Sequence, residues 1–503
     1  MKKISMLILA LLMAMSCFVA CSDAKPTPEK PSGTTTAEDE DDDSGTNYLA
    51  MLPQENLDRD FVLLCSDTKK DQYVSDEDIE SGDVVSNAVF TRNARVEAYK
   101  GVRIIFNTQD DRWASGEIPY MTYIRANKMS GDHAYNAITL EQTYASRVAQ
   151  EGNLYDLNSI KSFEYDQPWW HASFSENNTV YGKLYMLAGD ISHKVLGTAW
   201  TVLYNKTVAR TVGLDNFYDL VTNQQWTFEN MMVAAKAVAT ENGDDSVYGL
   251  GLNRHALRLS ALSFAISVCG RTDDGGYELT MMSDRTEQVY GSLYTAIHQS
   301  NNAVFGDAQS DGQAQRVLIP MFTSNRMLFL MFSLEFLPDF KEVMSATTDF
   351  GILPYPKYDE NQKNYRTAIG NTGVYCGIPD DETDPDFSAN MLNALGAAGK
   401  TYVYSAYYET TLKKGTAPDP ESLEMLNIIR DSMYFDFAVV HAAALDNVYS
   451  KWGDSLLPAE GPAREAFSGI YVSIERNSGN ALANILKQYK GLAAEAETTG
   501  SKS

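Results

Sequence analysis

The feature that most constrains this chain is an early alternation of two periodicities. Segments 60–67 (DFVLLCSD), 101–107 (GVRIIFN) and 135–139 (YNAIT) are apolar runs of strand length, and helical patterns occupy 87–99 and 119–129 between them. Strand alternating with helix is the pattern of a parallel sheet built from right-handed crossovers, so the first lobe is expected to be α/β. A second lobe is expected to follow. It opens with strand-like 182–190 (GKLYMLAGD) and 199–205 (AWTVLYN) and continues through helices at 227–240, 256–269, 286–299 and around 324–336. Strands are then predicted at 350–353 and 373–378, and helices at 387–399, at 420–432 behind the cap Asp419, and at 481–489. A length of 503 residues suits two such lobes, and no internal repeat of fixed period is visible.

Composition narrows the function. At 44% hydrophobic and 21% charged the chain must form a core. With 67 Asp and Glu against 41 Lys and Arg, the net charge of -26 argues against a phosphate-binding surface, so nucleic acid is not an expected partner. Residues 22–46 hold eight acids and two lysines, so most of that charge lies on the folded body, where it favours solubility and says little about a ligand.

Lys2 and Lys3, an apolar run at 4–15 and small residues before Cys21 give the order of a signal peptide over 1–20, shorter than the roughly 20 residues that span a bilayer. Phe18-Val19-Ala20-Cys21 resembles the lipobox of bacterial lipoproteins, with Phe18 where Leu is usual; the resemblance makes Cys21 the lipid-modified residue. Residues 21–46 then read as a lipidated cysteine and a disordered tether rich in Pro, Ser, Thr, Gly and acids. Cys65, Cys269 and Cys376 are spaced too widely for a CxxC motif and read as small buried residues.

Motifs for chemistry are missing from the sequence. The six histidines are not paired at helical ligand spacing, and there is no GxSxG, GxxxxGK[ST] or GxGxxG pattern, so no metal or cofactor is expected. In the acidic loop at 76–80, Gly82 falls one place too late for a calcium-hand loop. A glycosidase dyad needs two carboxylates held together in a cleft, which no count of acids establishes. Aromatic residues say more. They make up 11% of the chain, and Trp113, Trp169, Trp170, Trp226 and Trp452 sit in polar contexts where rings could stack on sugar C–H faces.

Several segments in order, namely VFTRNARVEAYKGVRI (89–104), SGDHAYNAIT (130–139), GNLYDL (152–157), PWW (168–170), GKLYMLAGD (182–190), LYNKTVARTVGLDNFYDLVTNQQWTFENM (203–231), YGL (248–250), FGILPYPKYDENQKNY (350–365) and PESLEMLNII (420–429), together resemble extracellular solute-binding protein family 1. These are the maltose-binding-protein-like lipoprotein receptors of bacterial ABC importers. The resemblance implies a class II periplasmic-binding-protein-like α/β fold, with two lobes, interlobe hinge strands and a ligand cleft. Lobe 1 would be 47–187 plus 375–440, lobe 2 188–374 plus 441–490, and 491–503 a tail. Crossings are expected near 185–190, 369–374 and 436–452.

The implied function is capture of a small solute, an oligosaccharide favoured, by a monomeric receptor lipid-anchored on the outer face of the bacterial membrane, for delivery to an ABC permease. Binding rather than catalysis is expected; a secreted glycosidase and a surface glycan-capture lipoprotein without import are the alternatives. Residues at strand ends and crossings are the candidate ligand contacts: Trp113, Thr139, Glu141, Tyr144, Trp169 and Trp170, and across the cleft Asp190, Trp200, Asn371 and Trp452. PWW is expected in an exposed loop. Asn136 stands where the family branch usually has an acid, which suggests altered cleft specificity, and Ala188 replaces the branch's Pro before the turn at Gly189.

Overall fold

The computed structural model describes residues 46–74, 84–214, 217–300, 302–306, 311–337, 349–370, 373–407, 419–457 and 463–500. In chain order the elements that position the site are β1 (Arg59–Ser66), α1 (Val84–Lys100), β2 (Val102–Gln109), α2 (Pro119–Ser130), β3 (Ala137–Glu141), α3 (Gln142–Gln150), β4 (Trp200–Asn205), β5 (Tyr248–Leu252), α4 (Arg254–Ser263), β6 (Ala303–Phe305), β7 (Met327–Ser333), β8 (Phe350–Pro354), β9 (Val374–Gly377), α5 (Pro385–Ala398), α6 (Pro420–Asp431), α7 (Val448–Ser455) and α8 (Gly479–Gly500).

Two sheets organise them. The first has the order β9-β3-β1-β2, with β1 parallel to β2 and β3 and with β9 antiparallel at the edge, Glu141 opposite Val374. The second runs β8-β4-β7-β5-β6, with β5 parallel to β6 and β7, and β4 antiparallel to β7 and β8. In the first sheet Phe61, Leu63, Leu64 and Cys65 are buried, as crossover helices on a parallel sheet require. The turn after α1 is fixed by Gly101, whose positive φ and close approach to Asn56 leave no room for a Cβ. Pro119 opens α2 and left-handed Gly131 closes it.

The chain leaves the first sheet after Leu187, which bridges Cys376, and enters the second at Ala199, which bridges Ile369, just before β4. The return runs from Ile369 to β9, and Thr367 bridges Met433 in a third segment alongside. Helix α5 follows the second sheet in sequence yet packs on the first, where Phe387 meets Phe61 at 5.9 Å.

Three local expectations are corrected. Residues 327–333 (MLFLMFS), read as helix, form the interior strand β7, buried at all seven positions; a run apolar on both faces carries no period to separate strand from helix. The segment 182–190 forms isolated bridges rather than a strand, because it passes between sheets instead of along one. The helix read at 256–269 stops at Ser263, and Cys269 begins a short hairpin strand paired with Tyr277–Leu279.

Candidate functional site

Strands β1, β2 and β3 are parallel and end on one edge, where an open α/β sheet offers its crevice. Ser66 ends β1 and caps the turn Asp67–Gln72 by accepting from the Thr68 amide. The Thr68 hydroxyl donates to Asp111 at 2.7 Å, fixing a buried carboxylate beyond the end of β2. Trp113, two residues on, is 69% exposed. Glu141 ends β3. Burial pushes its pKa up against the pull of Lys69, and the Asp111 carboxyl, to which it is hydrogen-bonded, adds to the rise. Tyr144 packs its buried ring against Tyr120 at 5.5 Å, and its hydroxyl has no hydrogen-bond partner.

The second sheet presents a matching edge. Antiparallel pairing sets Trp200, the start of β4, opposite Ser333, the end of β7. The Trp200 ring lies 6.0 Å from that of His255, at the start of α4, whose cap Asn253 accepts from the Ala256 amide. Glu335 follows β7. Partial desolvation raises its pKa although it keeps an exposed flank, while the Ser333 hydrogen bond, Lys194, Lys69 and His255 pull it down. Lys69 thus acts on Glu141 of its own edge and on Glu335 of the other, and the turn that carries it meets the hinge segment, where Asp71 lies 4.0 Å from Lys194, in a stretch that packs on Leu334–Phe336. Lys69, Asp111, His255 and Glu335 were not among the expected contacts. Lys69, Asp111 and Glu335 lie in turns just past strand ends and His255 in the first turn of α4, and the rule that ligands meet the carboxyl ends of parallel strands could have found Asp111.

The hinge segment between Leu187 and Trp200 takes up other candidates. Asp190 is buried and accepts from Arg430 at 2.6 Å, with Lys400 at 3.7 Å; burial raises its pKa and the two cations pull it back. It is therefore a structural ion pair rather than a free acceptor for a ligand. The expected exposure of PWW is corrected in the same place. Trp169 is fully buried and Trp170 nearly so, both indoles donating to Asn393 Oδ1 at 3.3 and 2.9 Å. Trp170 also bridges Gly189, where a Cβ would strike its ring. The turn at Gly189 is thus held by tryptophan packing, with Ala188 buried beneath.

The remaining candidates are scattered. Thr139 is buried inside β3, its carbonyl accepting from Tyr120 Oη at 2.6 Å. Trp452 is buried in α7, donating to Ser260 at 3.3 Å and meeting Tyr290 edge-on, so its ring is spent on packing against α4. Asn371 and Cys21 lie outside the described residues. Asn136 sits at the amino end of β3, away from the cleft edge, where it accepts from the Val62 amide and donates to Glu382 at 3.0 Å. An acid there would confront Glu382, so the departure from the family pattern concerns strand anchoring, not the cleft. A hollow of about 560 Å³ near Arg59 is likewise at the amino end, with Arg59 paired to Asp384 at 2.7 Å.

Cys65, Cys269 and Cys376 are buried free thiols. Among the described residues no group of His, Cys, Asp and Glu is arranged to hold a metal, and no helix is long and apolar enough to cross a membrane.

The fold matches known structures. The sugar-binding protein MalE from Xanthomonas citri aligns with a TM-score of 0.52 at 12% identity, over 88% of this chain and 100% of that one. An ABC substrate-binding protein from Listeria monocytogenes, solved with cycloalternan, gives 0.51 at 15% identity over 84% and 99%. UspC of M. tuberculosis gives 0.52 at 14% identity over 84% and 100%. No protein-family model and no curated protein sequence matches the chain. The chain has the two-lobe, periplasmic-binding-protein-like fold, and the Xanthomonas and Listeria neighbours are binding proteins.

Proposed function

We propose that this protein is a solute receptor that captures a small molecule, an oligosaccharide favoured, between the edges of its two sheets and delivers it to the permease of an ABC importer. The observation that carries this reading is the pair of strand-end edges, one on each sheet, on either side of the segments that cross between the sheets. Structural neighbours solved with cycloalternan and with maltotetraose favour a sugar cargo. In this reading Trp113 and Trp200 stack on sugar faces, Asp111, Glu141 and Glu335 accept from hydroxyls, and Lys69 and His255 donate. Asn371, outside the described residues, stays a candidate from the sequence. Catalysis is not part of the proposal.

We take the lobes as 47–187 plus 375–440 and 188–374 plus 441–490, with the correction that α6 packs on β8 and so goes with the second sheet. A signal segment over 1–20, a lipid on Cys21 and a tether to residue 46 would hold a monomeric receptor on the outer face of the membrane.

A thermal-shift screen of residues 46–503, which form one compact unit, tests the reading against mono- and oligosaccharides, with peptides, polyamines and divalent metals as controls. A ligand that binds only the native state raises the midpoint. A rise with one sugar class and no product formed is expected. A rise with a cation or peptide alone removes the sugar assignment, and cleavage of the sugar establishes an enzyme instead.

A further inference from the structure

The guanidinium of Arg92, on α1, is 1% exposed and sits between two stretches of chain that flank the cleft. It donates to the Ile191 carbonyl in the hinge segment at 2.7 Å, and to the carbonyls of Tyr73 and Gln72, at the end of the turn that carries Lys69, at 3.1 and 3.4 Å. Asn93 reinforces the grip, accepting from Arg92 at 2.9 Å and donating to the Tyr73 carbonyl at 2.8 Å. Two side-chain contacts extend the junction: Ser192 donates to Gln72 Oε1, and Lys194 lies 4.0 Å from Asp71. The same turn and the same hinge segment supply Lys69 and Lys194, the two lysines that act on Glu335.

We infer that Arg92 is a positioning residue that locks the Lys69 turn to the hinge segment, so that movement of the lobes and placement of the cleft's lysines occur as one event. A planar fork of five donors suits this task, because it can hold carbonyls of two segments at fixed angles where a lysine reaches fewer. Without the fork, the Ile191 and Gln72 carbonyls would lose this donor in a site closed to water, the Tyr73 carbonyl would keep only Asn93, and the two segments would open independently. The role in ligand capture rests on the receptor reading; the mechanical coupling does not.

The test is amide hydrogen exchange on the full chain without ligand, comparing the parent with Arg92→Met. Exchange in 67–74 and in 188–199 is expected to quicken together, by about tenfold or more, while amides of Phe61 to Cys65 hold their parent rates. Arg92→Lys should give a smaller rise, still in both segments, and is read in the same way if the methionine variant does not fold. Quickening of one segment alone, or a uniform rise that includes the β1 amides, overturns the inference. A second arm uses maltotetraose as the probe: if the parent binds it, Arg92→Met should raise its dissociation constant about tenfold, and an unchanged constant overturns the role in capture. Failure of the parent to bind any sugar counts against the receptor's assigned cargo and leaves the exchange result to decide the coupling.

Discussion

At the hinge, Asp190 is buried between Arg430 and Lys400, and Trp169 and Trp170 are buried over Asn393. At the cleft edge, Glu141 meets a second carboxyl with one lysine nearby, and Trp113 stands 69% exposed. The residue types are the same and their circumstances are opposite. Where charge and aromatic surface are satisfied within the chain, they hold the fold together. Where they are left unsatisfied, the protein carries a standing cost that a bound ligand can relieve.

That contrast can be broken by experiment. Trp169→Ala should be the most damaging change, costing about 3–5 kcal/mol through the cavity it leaves and lowering the urea midpoint accordingly. Asp190→Ala should follow at about 3 kcal/mol, since it removes the buried anion of Arg430 and leaves it only the exposed Asp431; a midpoint near the parent's would show that the ion pair does not secure the hinge.

Asp436 probes the third segment. Burial lifts its pKa to about 6, above the usual carboxylate value, so the folded state favours the neutral acid. Stability from this group is fully present below about pH 4 and is lost as pH rises towards 6, a difference on the order of 2–3 kcal/mol. Asp436→Asn should therefore raise the melting temperature at pH 7.5 while changing it little at pH 4.

Glu141→Gln should behave in the opposite sense to Asp190→Ala. Removing an acid whose pKa is raised by burial and Asp111 should stabilise the protein at pH 7.5 by up to about 1 kcal/mol and weaken sugar binding. If it destabilises instead, Glu141 belongs with the hinge residues. Trp113→Ala should move stability by no more than about 0.5 kcal/mol, its effect appearing in oligosaccharide titrations alone.

The alternation around β1, β2 and β3 was legible because each strand is a short apolar run with a polar, helix-length segment between it and the next, and the edges follow from where parallel strands end. Hence Glu141 and Trp200 could be singled out from sequence and do lie on those edges. Strand β7 was not legible, being buried on both faces. Burial of a tryptophan was not legible either. Trp169 lies beside a proline in a polar stretch, and what buries it is Asn393 and Gly396, far along the chain on α5. Lys69 and Glu335 escaped notice for a related reason: each lies in a short turn, and the charged groups around it come from elements distant in the sequence.

The edge strand β9 has a consequence for biogenesis. It pairs with β3, yet β3 ends at Glu141 and β9 begins at Val374, with the whole second sheet encoded between them. The nascent first sheet therefore waits with one flank of β3 unpaired while β4 to β8 are synthesised. Such an open flank can recruit a neighbouring chain, and the long separation slows its proper closure. Chaperone dependence should accordingly centre on β3, and a chain truncated before Val374 should aggregate through that strand even though β1, β2 and β3 are all present.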